Sequence, residues 1–143
     1  MTAKRMDQFA SAQALRLLGK LAFQVRHAAR RPNAEAIHDL RVSIRRFSQC
    51  VREFRQFFPR HQAKKILKQL ERVMDLAAEM RNRDIAIDMI AIDMIGGDGD
   101  SAESVFAAEL REEREEAKRK LSRALVQWRR RDFSRKWRPW LDR

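Results

Sequence analysis

The sequence predicts an all-α fold: an antiparallel four-helix bundle followed by a short C-terminal helix or tail. Three observations predict it. Apolar residues recur at helical spacing along nearly the whole chain. Only four glycines and three prolines occur, most of them where helices should end. Four long periodic stretches are joined by short connections, which makes successive helices antiparallel neighbours. With 143 residues the chain suits one domain, 1–143.

The first helix is expected over Asp7 to Arg30, with Leu15, Leu18, Ala22, Val25 and Ala29 on its apolar side. Arg31-Pro32 breaks it, and Asn33 suits the N-cap of the next. The second is expected from Ala34 to Phe58, its stripe being Ile37, Leu40, Ile44, Phe47, Val51, Phe54 and Phe58. Pro59 stops it and opens the third. That helix is expected from Arg60 to Ile95, burying Ile66, Leu70, Val73, Ala77 and Met80. Its end, AIDMIAIDMI, also alternates like a strand, but no second strand exists to pair with it. GGDGD (96–100) is a loop, and Asp100 with Glu103 resembles a capping box. The fourth helix then buries Phe106, Leu110, Ala117, Leu121, Ala124 and Trp128. After Asp132, the tail FSRKWRPWLDR forms a short helix or lies over the bundle.

The charge balance narrows the partners. Lys+Arg number 32 against 20 Asp+Glu, a net +12 with a pI near 11.1. Such a chain attracts polyanions: nucleic acid, an anionic membrane or a phosphate polymer. A hydrophobic content of 44% argues against disorder. Cys50 is the only cysteine, so an intrachain disulfide is excluded and a packing role in a reducing compartment is expected. The N-terminus lacks a signal-peptide core, and no run approaches the roughly 18 apolar residues of a spanning helix. A cytoplasmic protein with no membrane partner is the expectation. His27 and His61 lack companions at metal spacing, and Asp98 and Asp100 lack the remaining ligands of a calcium loop. No metal and no cofactor is expected.

One stretch stands apart. In AIHDLRVSIRRF (36–47), His38, Arg41 and Arg45 follow each other at three and four residues, and Arg52 continues the line. On a helix these four fall within about 60° of one another, opposite the apolar stripe, whereas Arg46 projects about 100° from Arg45. Arg41, Arg45, Arg46 and Arg52 have no acid three or four residues away. In ELREEREEAKRK (109–120) the opposite holds: Arg111, Arg119 and Lys120 each have a glutamate four residues away. Spacing alone leaves a ligand site and a solvated face equally open. Guanidinium forks match phosphate oxygens, which favours phosphate over a generic acid. Lys64, Lys65, Lys68 and Arg72 read as a solvated face of the third helix.

His38-Asp39-Leu40-Arg41-Val42-Ser43-Ile44-Arg45-Arg46 resembles the H-D-[ML]-R-V-x-x-R-R signature of CHAD domains, the conserved histidine α-helical domains. Arg83-Asp84-Ile85-Ala86-Ile87 resembles the family's R-D-L-D-V segment, with Ala86 in place of an acid. The likeness spans Leu15 to Leu125. It implies a helical domain whose basic cavity binds inorganic polyphosphate without chemistry, in a family often joined to triphosphate-tunnel enzymes or found with polyphosphate granules. Phosphate contact then passes to His38, Arg41, Arg45 and Arg46; stripe geometry adds Arg52. Asp84 is expected to orient an arginine. Arg114 and Lys118, beside the fourth helix's stripe, are second-tier contacts, because snorkelling side chains give the same pattern.

CHAD domains usually hold two four-helix halves, and the second half's motif is not found in this chain. A homodimer is therefore expected to rebuild the cavity, held by Phe57, Trp137 and Trp140. Two other readings stand beside polyphosphate binding. One is a basic helical protein that binds nucleic acid non-specifically. The weaker is an enzyme acting on phosphate polymers, for which no E-x-E-x-K motif is present.

Overall fold

The computed structural model describes residues 2–96 and 101–142. Its helices are α1 (Ala3–Arg30), α2 (Ala34–Glu53), α3 (Arg60–Gly96), α4 (Ser101–Arg130) and α5 (Phe133–Leu141), with no strand among the described residues. The chain is all-helical, as its periodicity predicts. Asn33 caps α2 by accepting from the Ala36 amide at 2.8 Å, and Thr2 caps α1 from the Arg5 amide at 3.3 Å. Each such cap is worth about 1 kcal/mol. The Asp100–Glu103 box lies outside the described residues.

The long helices pack in chain order around one core. α1 lies along α2 and α3 along α4; contacts of α2 with α3 and of α1 with α4 close the ring, and α5 rests on α1. The stripes of α2 and α3 are buried as spaced: Ile37, Leu40, Ile44, Phe47 and Val51 on one, Ile66, Leu70, Val73, Ala77 and Met80 on the other.

Four expectations are corrected. α2 ends at Glu53 rather than Phe58, and a tight 3-10 turn follows at Arg55–Phe57. Pro59 disfavours helical backbone at the residue before it, and Phe58 is extended at φ −116, ψ 152. The break turns Phe58 into the core and leaves Phe54 against Phe9 and Phe57, at ring distances of 5.8 and 6.4 Å.

On α1 the buried line is Ala10, Ala14, Leu17, Leu18, Leu21, Val25 and Ala28, while Leu15, Ala22 and Ala29 are only half-buried. α1 faces α2, α4 and α5 together, so its covered arc is wide and is centred differently from the one its largest side chains suggest.

Phe106, expected inside, is 54% exposed. The reason is length. At 37 residues α3 is about 55 Å long, while α2, at 20 residues, is about 30 Å. α3 and α4 thus run on as a two-helix hairpin with no third helix to cover it, and Ile85, Met89, Ile92 and Val105 are exposed there too.

The tail settles the place of the tryptophans. Asp132 takes a left-handed turn (φ 48), a conformation Asp tolerates, and α5 then folds back on α1. Trp137 is 1% exposed, its ring 6.2 Å from Phe47, 5.5 Å from Trp128 and 5.2 Å from Phe133. The Ser11 hydroxyl donates to the Leu141 carbonyl at 2.7 Å and ties the two helices together. Trp137 is therefore core, not a surplus surface residue, and Trp140 and Phe57 pack half-buried against the same core.

Candidate functional site

α2 offers two polar flanks. On the side of α1, Asp39, Val42, Ser43 and Arg46 face Arg16, Lys20 and Phe23 across a groove of about 610 Å³. The wheel puts Arg41, Arg52, Arg45 and His38 away from that groove on α2. Helical spacing keeps these four on one side of α2, while Arg46 lines the groove. His38, Arg45 and Arg52 are exposed and Arg41 is half-buried.

No carboxylate pairs with any of these arginines among the described residues. Arg41 shows the consequence: its Nε is buried without a hydrogen-bond partner. A buried donor left unmatched costs about 1–3 kcal/mol. Chemically the flank can grip a multivalent anion.

The α3–α4 hairpin treats its arginines differently. Arg114 Nε donates to Asp84, and Arg114 Nη1 lies 3.1 Å from Glu115. The hydrogen bond to Asp84 is the main reason that the Arg114 guanidinium holds its proton even more tightly than usual, with burial opposing and both carboxylate charges assisting. Arg83 lies 3.4 Å from Glu113, and Arg119 grips Glu116 at 2.7 and 3.1 Å. Hydrogen bonding from Arg119, and then its charge, holds the Glu116 carboxyl below the usual range. Lys118 is half-buried on α4 with no ion pair among the described residues.

A second basic concavity was not foreseen. A groove of about 720 Å³ between α3 and α4 is lined by Arg72, Lys120, Arg123 and Arg130, with no acid in its wall. Lys120, Arg123 and Arg130 share one face of α4, a signal available in the spacing; that Arg72 stands across from them is not. Elsewhere, burial pushes the Cys50 thiol up, which suits packing rather than reactivity. Among the described residues no three His, Cys, Asp or Glu gather as a metal set, and no helix is long and apolar enough to cross a membrane.

The family model for the CHAD domain matches residues 12–143, reaching through α5 to the end of the chain. No curated protein and no solved structure matches the chain. CHAD domains are associated in general with polyphosphate binding, and are generally binding rather than catalytic domains. With the histidine-arginine signature on α2 and a match over essentially its whole length, this chain belongs to the CHAD domain family.

Proposed function

We propose that the protein binds inorganic polyphosphate along the α2 flank of His38, Arg41, Arg45 and Arg52, with Arg46 as a contact from the groove beside α1, and does no chemistry on the polymer. Arg41 carries this reading: a half-buried guanidinium in the middle of the stripe that has no ion pair and no hydrogen-bond partner among the described residues. Successive helical turns offer one guanidinium after another, which suits a linear chain of phosphates better than a single ion. Asp84 is assigned to holding Arg114. Arg114, engaged by two carboxylates, passes from ligand contact to structure, and Lys118 stays a secondary contact. Residues 1–143 are taken as one domain and the ring of long helices as an antiparallel bundle. A cytoplasmic setting near polyphosphate granules is part of the same proposal.

The nucleic-acid reading has less behind it. Single strands are held by exposed aromatic platforms; here Tyr is absent, Trp137 is buried, Trp128 and Trp140 are half-buried, and the exposed Phe9 and Phe23 lie on α1 and Phe106 on the hairpin rather than on α2. The test is displacement of labelled long-chain polyphosphate by duplex DNA, RNA and pyrophosphate at fixed salt. Polyphosphate should win charge for charge, with affinity falling linearly in log salt. Equal competition by duplex DNA would transfer the proposal to generic basic binding.

A two-fold dimer that sets flank against flank is also proposed. Its apolar contact now falls to the exposed hairpin residues Ile85, Met89, Ile92, Val105 and Phe106. Light scattering with and without polyphosphate decides it. A monomer in both conditions that still binds tightly rules the dimer out.

A further inference from the structure

The concavity between α3 and α4 has the attributes of a second anion site, and we propose that it binds a separate segment of polyphosphate, making the protein bivalent. This rests on the polyphosphate reading of the α2 flank and extends it to a second face.

On α4, Lys120, Arg123 and Arg130 fall within about 80° of one another, and Arg72 of α3 completes the set from across the groove. Arg72, Lys120 and Arg130 have no ion pair among the described residues. Arg123 is held only loosely, 3.7 Å from a Glu116 that Arg119 already grips at 2.7 Å. Leu76, Ala124 and Val126 also line the groove, with Ser122 and Gln127. Apolar surface beside the cations lowers the local dielectric and strengthens their attraction for an anion. A narrower recess shares Arg72 and continues toward α5, where Arg131 and Lys136 join its wall. At about 720 Å³ the groove has the size of a ligand site rather than of a surface dimple.

The two basic faces are separate. Between them runs the outer ridge of α3, where Glu71 and Asp75 stand beside Lys68 and Arg72. A polyphosphate chain crossing that ridge would pass two carboxylates, so each face takes its own segment. Two sites on one small protein allow it to join separate chains, or to hold one long chain twice with the gain in avidity that linkage gives.

Calorimetric titration with tripolyphosphate tests this, because the probe is too short to reach both faces. The wild-type protein should bind two equivalents. Arg72→Gln with Arg130→Gln should weaken one class of site about tenfold or more and leave the other, and Arg41→Gln with Arg45→Gln should do the converse. Lys120→Gln with Arg130→Gln replaces the first pair if circular dichroism shows that the loss of Arg72 disturbs α3. If groove substitutions change nothing while the α2 pair removes all binding, the second site is overturned and the α2 reading stands. If the groove pair removes all binding and the α2 pair none, the α2 reading fails and the groove is the site. No binding by the wild-type protein overturns both.

Discussion

Among the described residues, Arg41, Arg45 and Arg52 of α2 have no carboxylate within ion-pair distance, whereas on α3 and α4 Arg83, Arg114 and Arg119 each hold one. The side chain is the same in both regions; its neighbours are not. On the hairpin, where apolar cover runs out after Met80, Arg83 and Arg114 join α3 to α4, while Arg119 pairs within α4. On α2 the core stripe is fully buried and cohesion is already provided, so the outer arginines are unnecessary for the fold. Their unpaired charges are the basis of the polyphosphate proposal. Sequence charge follows the same division, since Arg111 is the only cation between residues 84 and 113. An approaching polyanion is repelled by the hairpin and drawn to the body.

The sharpest way to break the contrast removes two unpaired arginines. Arg41→Ala with Arg45→Ala should weaken polyphosphate binding by more than about 100-fold, because two charge-assisted contacts at about 1.5–3 kcal/mol each are lost. Lys64→Ala with Lys65→Ala removes the same charge from an exposed stretch of α3 and should cost only a few-fold, through the general potential. Fluorescence polarisation with labelled polyphosphate measures both pairs, and circular dichroism checks that both remain helical. Equal losses would mean that net charge matters and the stripe does not.

Next comes the innermost pair of the hairpin. The Asp84 and Arg114 side chains are 16% and 23% exposed, so Asp84→Ala leaves a largely covered guanidinium with only Glu115 beside it. Urea unfolding should show a loss of about 1–3 kcal/mol, the cost of stranding a buried polar group. Tight polyphosphate binding should persist at temperatures where the variant is folded. A variant of unchanged stability that no longer binds would move Asp84 from the frame of the protein to its ligand site.

How much of this could be read from the residues depended on what lay opposite them. α2 was legible throughout its helical length because its stripe repeats cleanly and a single face is buried; only its last turn failed, where Pro59 imposed extended backbone on Phe58. The four-residue stripe was legible for the same reason, since the positions of His38, Arg41, Arg45 and Arg52 on a helix follow from spacing alone. The exposure of Phe106 was not, because it depends on α3 outlasting α2. The burial of Trp137 depends on α5 folding back after Asp132, and the α3–α4 groove on which side of α3 Arg72 occupies. These are relations between helices, and periodicity within one helix carries no information about them.

The smallest effect belongs to the exposed rung, Glu116 with Arg119. Both side chains are about half exposed, and water and salt screen such a pair even with a 2.7 Å contact. Its trace should appear in acid titration. The Glu116 carboxyl sits below its usual range because Arg119 hydrogen-bonds its ionised form. A carboxylate whose folded value is depressed adds stability above its unfolded value, and that contribution disappears as pH falls through the folded one. Wild type should therefore melt slightly above Glu116→Gln at neutral pH, and the gap should close as pH falls below the ordinary carboxylate range. Raising the salt at neutral pH should narrow the same gap, whereas the difference between wild type and Asp84→Ala, set by partial burial, should persist. A Glu116→Gln gap as large as that of Asp84→Ala and indifferent to salt would mean that cover does not separate the two rungs, and would undo the distinction between pairs that hold the hairpin and pairs that only decorate it.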